Sequence, residues 1–483
     1  EEGPTMRRTV VALALVGLIY GTPISSADDD LRDAAGQALR RAVGYFREHV
    51  ATEGGYVFRY SEDLARREGE DRVGATTVWL QPPGTPAVGM AYLTAHEAID
   101  DPYYLDAARE TALALVRGQL RSGGWHDRIE FDPKDRARYS YRVDPERRGA
   151  RDVTTLDDDK TQSAVRLLMG VDRALGFKDP TIHEATRYAL DRLTAAQYPN
   201  GAWPQRFKAP PDPEKFPVKR AGYPESWPRA HPGVDYGGHY TLTDNTQAEM
   251  VDVMLEASRV YEEPRYRAAA LRGGDFVLLA QMPDPQPAWA QQYDTEMHPA
   301  WARRFEPPAV TGGESHGAMR ILLRVYRETG DGKYLEPIPR ALAYLRRSRL
   351  PDGRLARFYE LQSNRPLYFT KDYRLTYDDS DMPTHYAFKV GDQTDSIARE
   401  YERLRAGGPA RPDTPPRRPG RPGRSQEGCV RAVIAALDER GRWVEEGRLR
   451  THGDDDPTRR VIDSRTFARN VETLARYLDA SRP

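Results

Sequence analysis

A chain of 483 residues, with 72 basic against 73 acidic side chains, is long enough for a large core and has no bulk charge to draw it to nucleic acid or an anionic membrane. A mean hydropathy of -0.75 with 30% charged residues describes a polar surface, and beyond the N-terminus no run is apolar for long enough to span a bilayer. Cys429 is the single cysteine, which excludes an intrachain disulfide and a cysteine-built metal cluster.

In chain order, Arg7 and Arg8 precede the apolar run Thr9 to Tyr20, and small residues at Ser25 and Ala27 come before an acidic start at Asp28. That order matches a cleavable secretory signal over residues 1–27, so a secreted chain, periplasmic or extracellular, is expected after cleavage near Ala27. Leu31, Ala34, Ala38, Leu39, Ala42, Val43 and Phe46 fall at the three-and-four spacing of an amphipathic helix over 29–50. The pattern returns over 86–98, 102–118, 160–176, 181–197, 244–261, 264–281, 313–329 and 333–348, while alternating strand patterns are confined to Tyr56–Tyr60 and Leu355–Leu361. Residues 406–428 are a Pro/Gly/Arg linker that packs no core. It separates a body, 28–405, from a tail, 429–483, that reads as a helix at Cys429–Leu437, a hairpin at Gly441–Leu449 and a helix at Phe467–Leu478. The tail is expected to dock back on the body.

Between the helices a turn signature recurs. Gly54-Gly55-Tyr56, Gln119 to Trp125, Gln197 to Trp203 and Asp352 to Leu355 place Tyr56, Trp125 and Trp203 about seventy to eighty residues apart, the length of two helical hairpins. A fixed interval means stacked units. The expected fold is therefore all-α, an (α/α) toroid or incomplete α/α barrel of helical hairpins with short β pieces, and the glycine turns gather at one end around a cleft. The alternative for each turn is a helix stop whose ring plugs the core.

Chemistry concentrates in three stretches, beside an acidic run that looks louder than it is. Gln197 to Met250 carries a ring, Trp203, a cation, Arg206, and the adjacent pair Asp244 and Asn245 at a helix start. Such a pair suits either a helix cap or a hard cation with oxygen ligands. Trp289 to Val310 has no period, yet collects Asp294, His298, Trp301, Arg303, Arg304 and Glu306, as a site-lining loop does. Arg357 to Arg374 sets Arg365 among aromatic residues, with Lys371 close by; guanidinium favours planar, bidentate carboxylate partners. Asp157 to Asp159 most simply caps a helix, with a cation as the other reading.

Taken together, these segments resemble the polysaccharide lyase family 10 pectate lyases. The resemblance rests on N-G-A-W-P-Q-R-F from Asn200, Y-T-L-T-D-N-T-Q-A-E-M from Tyr240, W-A-Q-Q-Y-D from Trp289, P-A-W-A-R-R-F-E-P-P-A from Pro299 and R-F-Y-E-L-Q-S-N-R-P from Arg357, in one order across residues 40–390. It implies β-elimination on polygalacturonate with Ca2+ required. By position it implies Asp244 and Asn245 at the cation and substrate site, Asp294 as a second acidic ligand, and Arg365 as the base. Arg206, Arg303 and Lys371 are then candidates to stabilise an enolate-like charge, and Trp203 and Trp301 to face sugar rings. An arginine base requires deprotonation of a very weak acid, so an alkaline optimum is expected.

One segment departs from the family pattern. Where many members are basic before a G-Y-x-W-Y ending, Lys371 to Lys389 is acidic in its middle, at Asp378 to Asp381, which leaves another uronide open as the substrate. Two readings compete with the lyase: a secreted carbohydrate-binding repeat protein without activity, and an α/α-barrel glycoside hydrolase using paired carboxylates. The Q-x-x-x-G-x-W turns also resemble those of triterpene cyclases, but the D-x-D-D acid motif such enzymes need is missing from the sequence. The expected partner is an acidic polysaccharide, acted on by a monomer.

Overall fold

A computed structural model describes residues 27–409 and 423–482. The signal-peptide reading up to Ser26 and the middle of the linker lie outside the described residues. Thirteen α-helices are present among the described residues: α1 (Ala27–Tyr45), α2 (Thr85–Ile99), α3 (Pro102–Gly118), the single-turn α4 (Pro133–Arg136), α5 (Lys160–Ala174), α6 (Pro180–Ala195), α7 (Thr246–Tyr261), α8 (Pro264–Ala280), α9 (Gly312–Thr329), α10 (Ile338–Arg347), α11 (Thr394–Gly407), α12 (Arg424–Ala435) and α13 (Ser464–Ala480).

The helices alternate between two layers. An inner row packs in the order α13, α2, α5, α7, α9, α11, and each of α3, α6, α8 and α10 returns on the outside against its hairpin partner. The fold is thus an all-α toroid of hairpins, with only short strands between the helices. Sequence sets the direction of the outer helices: α3, α6 and α8 open on Asp101-Pro102, Asp179-Pro180 and Glu263-Pro264. Proline fits the first helical position, where no N–H partner is needed, and the aspartates accept the free N–H groups of Tyr103 and of Thr181 and Ile182. The expected helices are found to within a few residues. The helix α11 was not anticipated because its apolar stripe is thin, with Ile397 buried and Ala398, Tyr401 and Leu404 only partly so.

The glycine-aromatic turns connect outer to inner helices at one end of the toroid. Each ring is a plug. The indole N–H groups of Trp125, Trp203 and Trp289 donate to the carbonyls of Leu115, Leu193 and Val277, the open ends of the outer helices, at 2.8 Å each. Their backbone N–H groups are received by Thr161, Gln247 and Ser315 on the next inner helices. Gly201 is required here, since at φ +93° an added methyl would run into the Arg272 carbonyl.

Trp443 repeats the device at the C-terminus, donating to Val433 at 2.9 Å. The expected hairpin within Gly441–Leu449 does not form. Val444–Glu446 instead pairs with Arg460–Asp463, which pairs in turn with Arg59–Ser61 near the start of the chain. Phe467 of α13 stacks on Phe46 with ring centroids 3.5 Å apart, and α13 packs along α2. The last hairpin is thereby built into the same ring of helices as the first.

Candidate active site

At the cleft end, two consecutive repeats carry the same local strain. Leu156-Asp157-Asp158-Asp159 and Leu242-Thr243-Asp244-Asn245 each form a short 3-10 turn before an inner helix. In both, two adjacent non-glycine residues are left-handed: Asp158 and Asp159 at φ 51° and 58°, Asp244 and Asn245 at φ 48° and 58°. Each such residue costs about 1–3 kcal/mol unless its surroundings hold it, and Asp and Asn bear it best. Neither turn caps its helix with a side chain, so helix capping explains neither acidic run.

What the strain achieves is convergence. One carboxylate oxygen each from Asp157, Asp158 and Asp244 lies within 4.8 Å of the others. Burial raises the Asp244 carboxyl to about 7, helped by the charges of Asp157 and Asp158. Asp158 is also raised, by burial and then by Asp157. Three hard oxygen donors brought together against their mutual repulsion fit a hard divalent cation. Beside them the buried Lys160 ammonium reaches Asp127 at 3.4 Å and Asp158 at 3.5 Å. Burial opposes its charge, but Asp127, Asp157, Asp158 and Glu70 prevail and keep it protonated. Gln205 donates to Asp157 Oδ1 at 2.8 Å, fixing that carboxylate from the Trp203 turn.

Arg303 faces this cluster electrostatically, and Asp244 is among the charges acting on it. Burial works against the guanidinium, but a 2.6 Å hydrogen bond to Glu306 Oε1 holds it well above its ordinary value. Glu306 is buried and also accepts from Tyr386 Oη at 2.8 Å. Arg206 is exposed at the edge of the group, its guanidinium 5.9 Å from the Tyr236 ring centre. Tyr236 in turn feels the charges of Arg206, Arg303, Glu306 and Asp157.

The other expected site residues lie elsewhere. Trp203 is fully covered and Trp301 is 3% exposed, its N–H spent on the Pro228 carbonyl at 2.9 Å, so neither ring offers a sugar a face. Asp294 closes a turn by accepting from Glu296 and His298, each at 2.9 Å, and is not part of the acidic cluster. Arg365 is exposed and stacks 3.5 Å over the Tyr377 ring. Lys371 pairs with Asp381 at 3.1 Å on the exposed surface. Asn245 stays beside Asp244 and is open to solvent. Asp157, Asp158 and Lys160 were legible in one signal: L-D-D-D-K-T-Q and L-T-D-N-T-Q are the same turn in adjacent repeats.

The family model described as pectic acid lyase matches residues 119–350, a span that includes Asp157, Asp158, Asp244 and Arg303. No curated protein matches the chain. Among solved structures, the Family 10 polysaccharide lyase from Cellvibrio cellulosa is similar at 20% identity with a TM-score of 0.45, covering 67% of this chain and 97% of that one. A mutant of that lyase in complex with trigalaturonic acid gives the same identity and TM-score over 65% and 98%. The GH76 alpha-mannanase from Bacteroides thetaiotaomicron is similar at 11% identity with a TM-score of 0.40, over 94% and 96%. Residues 119–350, just under half of the chain, match the pectic acid lyase family, and that match supports a polysaccharide lyase as its enzyme class.

Proposed function

We propose that the protein is a secreted lyase that cleaves polygalacturonate or a related uronide by calcium-assisted β-elimination, leaving a 4,5-unsaturated sugar. The observation that carries this reading is the convergence of Asp157, Asp158 and Asp244 beside Arg303. In the reaction a base takes the C5 proton, the C5–H electron pair becomes the C4=C5 double bond, and the C4–O4 pair leaves on O4, which takes a proton from water. The barrier lies at C5, because a proton alpha to an ionised carboxylate is very weakly acidic. Asp157, Asp158 and Asp244 would hold a Ca2+ ion, which would supply the Lewis acidity that neutralises the uronate carboxylate.

The chain's own residues do the rest. Glu306 keeps Arg303 protonated, which suits it to developing negative charge and not to proton abstraction. Gln205 and Lys160 hold Asp157 and Asp158 in place against their mutual repulsion. Arg206 stands where a neighbouring uronate would pass. Arg365, the base that the family position implies, stacks on the Tyr377 ring and forms no ion pair among the described residues.

The test is incubation with polygalacturonate and Ca2+, following the ultraviolet absorbance of the unsaturated product with and without a chelator. A chelator-sensitive rise supports the reading. New reducing ends without that absorbance would make the protein a hydrolase, and binding without any cleavage would make it a carbohydrate-binding protein.

A further inference from the structure

A cavity of about 420 Å³ opens beside Asn245 and runs down the lumen between α7 and α9. That volume lies within the range of small-molecule sites, roughly 300–1,000 Å³. Its space comes from the sequence of α9. Gly313 and Gly317 face it without side chains: a methyl on Gly313 would meet nothing within 4 Å, and one on Gly317 only Asn245 Oδ1 at 3.8 Å. Further down, Arg324 of α9 pairs across to Asp252 of α7, which bounds the cavity below.

The charges in the lining almost cancel. Asp252 pairs with Arg324, and Glu249 pairs at 2.6 Å with Arg166, which also serves Asp159 and Glu256. His316 is 2% exposed and neutral, burial having pushed it down to about 4. One cation is left. Arg320 has no carboxylate partner among the described residues and donates only to the Gln393 side-chain oxygen. A glycine-cleared pocket with amide and imidazole edges and one spare guanidinium matches one sugar ring bearing one carboxylate.

Resting on the lyase reading above, we propose that this cavity is a uronate subsite next to the acidic cluster, with Arg320 as the ligand of the sugar carboxylate and Asn245 at the boundary between the two. The probes are D-galacturonate and D-galactose, titrated calorimetrically into the full chain with EDTA present, so that the cation site makes no contribution. The unmodified chain is expected to bind galacturonate at least tenfold more tightly than galactose. Arg320→Ala should bring galacturonate down to the galactose level, and Gly317→Leu, which fills the cavity, should remove both signals while thermal unfolding stays cooperative. Arg320→Ala lies on an exposed position and does not threaten the fold. Failure of the unmodified chain to bind galacturonate, or unchanged binding in Arg320→Ala, overturns the proposal. Binding that depends on Arg320 without any unsaturated product from the polymer leaves the subsite standing and removes the lyase reading, so the two failures are distinct.

Discussion

Glu306 holds Arg303 at two points: its Oε2 accepts the Arg303 backbone N–H at 3.0 Å and its Oε1 the guanidinium at 2.6 Å. The loop between Trp301 and Pro307 is therefore closed on itself by an ion pair, and Tyr386 braces the same carboxylate from the far side of a segment that departs from the family pattern. Removing Glu306 strands the Arg303 guanidinium, but that side chain is 40% exposed, so solvent keeps the cost below the about 3–5 kcal/mol of a fully buried pair. Glu306→Ala is expected to lower both stability and turnover. Tyr386→Phe, which loses a single hydrogen bond, should lower kcat by tenfold or less with little change in unfolding temperature. Steady-state kinetics beside thermal melts separate the two; a Tyr386→Phe enzyme with unaltered kcat would deny the brace any catalytic consequence.

The cation reading makes a demand on particular acids. A divalent ion at one hundred times its Kd stabilises a one-site protein by about 2.7 kcal/mol. Addition of Ca2+ should raise the melting temperature of the unmodified chain, and Asp158→Asn or Asp244→Asn should abolish the rise. Asp294→Asn should retain it, because Asp294 serves a turn. Loss of the rise in Asp294→Asn alone would move the site.

Two arginines are set against each other by position. Arg303→Ala removes the cation beside Asp244 and is expected to cost about 10²–10³ in kcat, the usual loss for one charge-stabilising donor. Arg365→Ala removes a surface stacking contact on Tyr377 and should keep kcat within a few-fold. The reverse ranking would restore Arg365 to the chemistry.

The tryptophan turns should respond as core and not as binding surface. Trp203→Ala empties a fully buried site and is expected to cost about 3–5 kcal/mol. Denaturant unfolding measures the loss, and the product spectrum of the surviving folded enzyme should be unchanged. A normal melt with altered oligosaccharide products would return Trp203 to the cleft.

Stability should fall in mild acid through His316. Burial lowers its folded-state value from 6.5 to about 4, against the attraction of Asp392 and with Arg320 adding to the shift, and its Nε2 lies 3.2 Å from Thr394 Oγ1. Between those values the unfolded chain takes up a proton that the folded chain refuses, so this contribution is whole above 6.5 and is lost as pH drops towards 4. Its ceiling is about 3 kcal/mol. Unfolding free energies across that window should slope less in His316→Asn, and an equal slope in both proteins would assign the acid loss to other groups.

The sequence by itself determined the hairpins and their order. Helical periodicity, acid-proline starts and glycine-aromatic turns are local signals, written within a few residues of where they act, and the helices they forecast are present at nearly the expected bounds. It also placed Asp244 and Arg303 among the candidates. Only the tertiary structure decided which of these side chains stand together. Trp203 reads as a sugar platform until the next hairpin covers it. Asp158 reads as a helix cap until the following repeat sets Asp244 against it across about ninety residues of chain. Asp294 is engaged in a turn and Arg365 on the Tyr377 ring, which no local pattern announces. The physical reason is that a side chain's role at this site depends on which charges and surfaces reach it from other repeats. That arrangement is set by the packing of the inner helices and is not written in any one segment.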